Sequence, residues 1–494
     1  MTPWVVLATI AGYFVLLFII SFLANRNKDG GNFFGNKKTP WILAAVAAMG
    51  APISGVTFIS VPGMVATKGF SYLQMVMGFV VGYFVIAYVL IPMFYKKNLV
   101  SIYGYLEERF GGKTHKTGAW FFFISKILGA AARFFVICVV LQSLVFGPLG
   151  IPFWINIIIS IALIFLYTSQ GGVKTVIWTD ALKSVCLITS IVLCIVFIAK
   201  GLGYDFGNMC KAVSEDPSSR LFFFDNPKEG TFFWKQFLAG VFMVIATTGL
   251  DQDLMQRNLS CKNHKDSQKS LIVSSFTMLI INFLFLVLGV LLLLYYKGYI
   301  MGGDPSNADV VAKLGTTDNL FCQVVSSQGM PLIVGILFIV GLISAAYSAA
   351  GSALTALTTS FTVDILDIAK MDEGKQVKTR KWVHAAMAVC MGIVILVFNA
   401  INNQDAISAV YTLASYTYGP ILGLFAFGLV CKKQVRDKLV PVVCVIAPVL
   451  CLFIQKWLKA QFDYTLGFEL LLLNAALTII GLLFLIKKPA KAEA

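Results

Sequence analysis

Charge is scarce in this chain. Asp, Glu, Lys and Arg make up 13% of its 494 residues, against about 25% in a typical soluble domain, which excludes an ordinary water-soluble fold. Histidine is scarcer still: His115, His264 and His384 are the only three. Neither they nor the ten cysteines fall into a C-x-x-C or H-E-x-x-H spacing, so no metal or redox centre is expected. A phosphate loop is also missing. The run EERFGGKT ends like one but carries Glu107 where its first glycine belongs, which leaves an ATP-driven pump without a nucleotide site. A membrane enzyme would need a nucleophile with a base, or a metal cluster; His115 and His264 fall in loops and His384 at the start of an apolar run. No catalytic residue is expected, and the chain is not read as an enzyme.

What the chain has in abundance is apolar sequence. Hydrophobic residues reach 58%, spread over the whole length in blocks of roughly 20, the length a helix needs to cross a hydrocarbon core. The pattern predicts one all-α integral-membrane domain, 1–494, of about thirteen helices. They fall near 4–24, 41–66, 71–95, 118–147, 153–170, 180–200, 233–254, 270–296, 331–366, 382–401, 406–430, 439–457 and 468–486. Alternate loops differ sharply in charge: 26–38, 96–116, position 174, 257–269, 370–381, 432–438 and the tail 487–491 together hold 26 of the 39 basic residues. By the positive-inside rule this set faces the cytoplasm, the N-terminus lies outside and the C-terminus inside. The net charge of +15 thereby finds its explanation without nucleic acid. The first apolar segment has no small-residue cleavage site behind it and reads as a retained helix.

Two spans look interrupted. WILAAVAAMGAPISGVTFISVPGMVA carries Gly50, Pro52, Gly55, Pro62 and Gly63, and FLAGVFMVIATTGLDQDLMQR carries Gly240, Thr247, Thr248 and Gly249. Broken helices are tolerated in a membrane where the freed backbone lines a cavity or is buried, and transporters use such breaks to hold ions and anions. The two are the second and seventh spans, the spacing an inverted repeat of five plus five helices would give, near 41–200 and 233–430, with 4–24, 439–457 and 468–486 peripheral. Kinking for packing is the plainer alternative.

The stretch GLISAAYSAAGSALTALTTSFTVD adds a second oddity. At 100° per residue Ser344, Ser348, Ser352, Thr355, Thr359 and Thr362 fall in a wedge of roughly 80° on one helix face. Close helix packing by small residues explains such a stripe, and so does a site for a cation that needs oxygens. Two intramembrane ionisable residues favour a pathway: Arg133 inside the fourth span and Asp180 at the start of the sixth. For Arg133 an internal ion pair or carbonyl clamp stays open, and for Asp180 a helix N-cap behind Thr179.

The run SAAYSAAGSALTALTTSFTVDIL resembles the ion-binding helix of the sodium:solute symporters, whose usual form is close to SSxxSxxNxxxTxFTxD. Four further blocks are similar to blocks of that family in the same order: SIYGYLEERFG (101–111), GGVKTVIWTDALKS (171–184), LDQDLMQRNLSCKNHKDSQKS (250–270) and ASYTYGPILGLFAFGL (414–429). The resemblance covers nearly the whole chain. It implies a leucine-transporter-like fold and Na⁺-driven uptake by alternating access. The main Na⁺ site would then use the carbonyls of Gly50, Ile53 and Ala345 and the hydroxyl of Ser348, with Ala349 in place of a second serine. Some members hold another Na⁺ between hydroxyls that correspond to Ser348 and Ser352 and a carboxylate that corresponds to Asp180; Gly351 departs from that pattern.

The family carries sugars, sialic acid, amino acids, vitamins and small anions, so the pocket residues must discriminate. Where sugar carriers place amides, a carboxylate or a gating tyrosine, this chain has Val76, Val244, Thr247 and Thr248. Sialic acid carriers resemble it better, through Ser54-Gly55-Val56-Thr57-Phe58 after the break and an arginine on the fourth span, here Arg133, whose planar fork suits a carboxylate. Gln74 lies two residues from the position of a substrate amide. The expected solute contacts are thus Ser54, Thr57, Gln74, Arg133, Thr247 and Thr248, and the expected cargo a carboxylate-bearing sugar such as sialic acid. A neutral monosaccharide or polyol is the alternative, ahead of an amino acid or vitamin carrier and of a channel. Na⁺, the solute and the lipid bilayer are the expected partners, in a monomer of the bacterial inner membrane.

Overall fold

The computed structural model describes residues 2–25, 42, 45–46, 53–97, 101–169, 173–259, 261–368, 371–401, 406–464 and 466–487. Within these residues the chain is helical, with one isolated backbone bridge between Val435 and Ile486. The long elements are α1 (Pro3–Asn25), α2 (Gly55–Lys68), α3 (Ser71–Lys97), the short α4 (Gly104–Arg109), α5 (Gly112–Phe146), α6 (Phe153–Ser169) and α7 (Val173–Gly201). After α8 (Phe206–Glu215) come α9 (Phe233–Val244), α10 (Gln252–Asn258), α11 (His264–Met301), α12 (Asn307–Leu314), α13 (Asn319–Ser326) and α14 (Leu332–Ile365). The chain closes with α15 (Glu373–Ile401), α16 (Ala406–Val430), α17 (Val440–Phe462) and α18 (Leu470–Phe484).

Eight of these helices are long and apolar enough to span a membrane, and three shorter apolar helices, Pro3–Ile19, Phe153–Leu166 and Leu470–Phe484, accompany them. Several begin earlier than their apolar runs. The fourth expected span, 118–147, is the helix Gly112–Phe146, and the tenth, 382–401, starts at Glu373. Apolar sequence marks only the part of a helix inside hydrocarbon; backbone hydrogen bonding carries it on into the polar flanks. The same effect moves the sixth span: α7 starts at Val173, so Asp180 stands two turns inside a helix and not at its cap.

The second expected interruption falls where residues are described, and the first only from Ile53 onward, Gly50 and Pro52 lying outside the described residues. Ile53 and Ser54 are non-helical before α2 begins at Gly55. α9 widens into a π-turn over Ile245–Gly249, breaks at Leu250 and Asp251, and resumes as α10. Thr247, Thr248 and Gly249 are poor helix formers, and a π-turn leaves one residue too many for the regular ladder. The break is held against α3 by mutual glycines: a Cβ on Gly240 would lie 2.1 Å from the Met75 carbonyl oxygen, and one on Gly78 2.1 Å from that of Phe237. Small residues are what permit backbones to approach this closely. On the other side Phe58 of α2, wholly buried, packs on Phe285 of α11 at 5.5 Å, Phe321 of α13 at 5.6 Å and Phe338 of α14 at 5.9 Å.

A candidate solute cavity and ion site

Between α3, α5, α14, α16 and the α9–α10 break lies a narrow central cavity of about 80 Å³, smaller than an occupied small-molecule site. Arg133, Thr247 and Thr248 line it, as does Ser352. Arg133 comes from α5, the threonines from the π-turn and Ser352 from α14, so three elements bring these expected residues together. No carboxylate or carbonyl among the described residues pairs with the Arg133 guanidinium; its electrostatic neighbours are the phenols of Tyr72, Tyr411 and Tyr418. The internal ion pair that the sequence left open for Arg133 is therefore not what the structure shows.

Three other expected solute contacts lie elsewhere. Gln74 donates to the carbonyls of Thr231 (2.9 Å) and Ser71 (3.2 Å) and accepts from the Phe223 N–H (3.2 Å); its amide pins the 220–232 loop onto α3. Ser54 and Thr57 are buried at the start of α2, where the Ser54 N–H donates to Thr57 Oγ1 at 3.4 Å. Neither lines the cavity. A short hydroxyl residue at a helix start finds backbone donors of its own helix first, which sequence spacing does not reveal.

The hydroxyl stripe divides in the same way. Ser344, Thr355, Thr359 and Thr362 each donate to the carbonyl four residues back, at 2.6, 3.0, 3.0 and 2.8 Å, satisfying themselves within α14. Ser352 faces the cavity instead; the side chain of Ser348 lies outside the described residues. Ala345 is buried on α14, and Ile53 is buried in the non-helical stretch before α2. A Cβ on Gly55 would come within 3.4 Å of Leu342, so α2 meets α14 close to these two positions.

One cluster in the cavity wall has no counterpart in the sequence reading. Lys126 donates to both oxygens of Asp251 at 3.0 Å and to Asp253 Oδ2 at 3.2 Å, and the Tyr418 hydroxyl donates to Asp251 Oδ2 at 2.8 Å. Asp251 Oδ1 also accepts from the N–H groups of Asp253 and Leu254, capping α10. Lys126 stands seven residues before Arg133, two turns away on the same face of α5; that spacing was the available signal. Toward the other end of α3, Tyr72 and Tyr411 share a hydrogen bond of 2.9 Å beside Arg133. The guanidinium is thus bracketed by a phenol pair on one side and an ion cluster on the other.

Broken apolar helices around a polar, cation-bearing cavity define a membrane carrier of small solutes. A profile of the sodium:solute symporter family matches residues 32–437. The chain belongs to that family: it is a Na⁺-coupled symporter and not an enzyme. It is 25% identical over 480 residues to the sodium/sialic acid symporter NanT of Aliivibrio fischeri, covering 94% of this chain and 89% of that one. The sodium/sialic acid symporter SiaT of Proteus mirabilis is 24% identical over 444 residues, covering 86% and 84%. The sodium-coupled monocarboxylate transporter 2 of Mus musculus is 22% identical over 428 residues, covering 85% and 67%. Among solved structures, a Na⁺-coupled sialic acid symporter in a substrate-bound outward-open state superposes with a TM-score of 0.76 at 20% identity, covering 97% of both chains. Mhp1, a nucleobase-cation-symport-1 family transporter, superposes with a TM-score of 0.50 at 14% identity, covering 92% of this chain and 93% of that one. The fold is the one these transporters share.

Proposed function

We propose that this symporter imports a small carboxylate-bearing solute, with a sialic-acid-type sugar the best fit. The observation that carries this is Arg133, an intramembrane guanidinium in the cavity wall with no carboxylate among the described residues paired to it. A charge at bilayer depth costs about 2.5 to 3.5 kcal/mol by insertion scales, and a carboxylate ligand supplies the counter-charge with two parallel hydrogen bonds. Thr247, Thr248 and Ser352 offer hydroxyls for the rest of a polyhydroxylated ligand. The relatives named for sialic acid and for monocarboxylates fit the same charge requirement.

On this reading Na⁺ sits where α2 meets α14, held by the carbonyls of Gly50, Ile53 and Ala345 and the hydroxyl of Ser348. Binding there would tie the broken helix to α14 and close the cavity around the solute. The chain would thread the bacterial inner membrane thirteen times as a monomer, N-terminus outside and C-terminus inside, with the repeats near 41–200 and 233–430 moving against each other.

The test is uptake into proteoliposomes under an inward Na⁺ gradient without ATP, comparing sialic acid, lactate and a neutral hexose in the wild type and in Arg133→Lys. Lysine keeps the charge but loses the planar fork. Loss of a charge-assisted hydrogen bond predicts a fall in carboxylate affinity of about 1.5 to 3 kcal/mol, roughly tenfold to over a hundredfold, with sodium dependence little changed. Hexose uptake that survives Arg133→Lys, with no carboxylate uptake in either protein, would establish the neutral-sugar alternative.

A further inference from the structure

Asp180 and Lys183 form an ion pair wholly inside the protein. Their side chains are 1% and 2% exposed, and Lys183 Nζ lies 3.3 Å from Asp180 Oδ1. The pair lies on α7, which runs antiparallel against α14: a Cβ on Gly341 would meet the Ser190 Cβ at 2.9 Å, and the Cys194 thiol faces the Val334 carbonyl at 4.0 Å. Following those two contacts along both helices sets Lys183 level with positions 345–348 and Asp180 level with positions 348–351. This is the stretch from which a second Na⁺ would draw its ligands, and the carboxylate it would need already holds an ammonium.

One carboxylate in a low-dielectric interior neutralises one cation; a Na⁺ added beside Lys183 would set two cations against the single Asp180 carboxylate, and they would repel each other. The oxygen supply is thin as well. Ala349 and Gly351 contribute no side-chain oxygen, Thr355 bonds back to Gly351, and Ser184 on the next turn of α7 donates to the Asp180 carbonyl at 2.8 Å.

We propose that Lys183 is a built-in cation standing in for a second Na⁺ at Asp180, so that this symporter binds one Na⁺ per cycle. A tethered ammonium neutralises the carboxylate in every state of the cycle and is never released down the gradient. The highest solute accumulation then follows the Na⁺ concentration ratio to the first power, where two coupled ions would give its square.

This rests on the proposed Na⁺ site between α2 and α14, and its test needs no solute. Binding of ²²Na⁺ to the purified full-length protein in detergent is counted at saturation. The wild type should hold one ion per chain, lost in Ser348→Ala. Lys183→Gln removes the tethered charge and should hold two, and adding Asp180→Asn to that variant should return the count to one. Two ions in the wild type, or one in a folded Lys183→Gln, overturns the proposal. A wild type that binds none rejects the Na⁺ site itself, and this inference with it. Lys183→Arg, which keeps the cation, should stay at one ion, and a second ion there also overturns the proposal, so the idea remains exposed even if the neutral variant does not fold.

Discussion

The Lys126 cluster makes a prediction whose sign is set by which buried charge loses its partner. Lys126 Nζ lies between two carboxylates, Asp251 4% and Asp253 13% exposed, and it is the cation that the deeper one, Asp251, holds among the described residues. Lys126→Gln leaves the Asp251 carboxylate buried without its cation. Removing one partner of a buried pair costs about 3 to 5 kcal/mol, chiefly because the remaining charge stays buried. Asp251→Asn acts differently. Lys126 keeps Asp253 as a partner, the asparagine oxygen still accepts from the N–H groups that cap α10, and the Tyr418 hydroxyl reverses to accept from the amide. Exchanging charged for neutral hydrogen bonds costs about 1 to 1.5 kcal/mol. Lys126→Gln should therefore unfold well below Asp251→Asn in thermal scans of the full-length protein, run in one detergent at one scan rate because such unfolding is commonly irreversible. Adding Asp251→Asn to Lys126→Gln removes the unpaired charge and should recover most of the loss. Equal midpoints, the reverse order, or no recovery in the double variant would refute the assignment of Lys126 and Asp251 as a charge-coupled unit.

The remaining predictions divide the expected site residues into those that meet ligand and those that hold structure. Ser348→Ala should raise the Na⁺ concentration for half-maximal uptake by about tenfold or more, since Ala349 leaves no neighbouring hydroxyl to replace it, and Ala349→Ser should lower it; unchanged sodium dependence in both would remove α14 from the ion site. Gln74→Ala breaks three hydrogen bonds to α3 and the 220–232 loop, a loss of about 1 to 3 kcal/mol of anchoring. It should speed proteolysis within 220–232 while leaving solute affinity within about twofold. Thr355→Ala and Thr359→Ala, whose hydroxyls bond within their own helix, should leave sodium dependence where it is; a tenfold change in either would return the whole stripe to the ion site.

The eight long spans of the described residues were legible because hydrocarbon thickness writes itself into run length, and their ends were not, because helices continue into water on hydrogen bonds that composition does not record. The break after α9 was legible for a local reason: Thr247, Thr248, Gly249 and the Asp251–Gln252–Asp253 run all disfavour continuing an apolar helix. Arg133 stood out since a charge in an apolar run has few uses. Gln74, Ser54 and Thr57 misled because a polar side chain inside a membrane protein takes the nearest partner that completes its hydrogen bonds, and for these three that partner is backbone. Whether such a group is free for a ligand depends on which donors and acceptors the tertiary fold places beside it.

The charged residues show the same rule from the other side. Asp180 read alone is a cation ligand, and Lys183, three residues on, was passed over; together they form a buried ion pair. Lys126 was passed over too, yet with Asp251 and Asp253 from a different helix it forms one end of the cavity. Of the buried cations in the described core, Lys126 and Lys183 are each matched to carboxylates, whereas the partly buried Arg133 is matched to none. A protein interior that neutralises its lysines with such care and leaves a guanidinium open to the cavity has arranged for that charge to be met by something that arrives and departs. The proposed anionic cargo rests on this imbalance, which a neutral hexose would leave uncompensated.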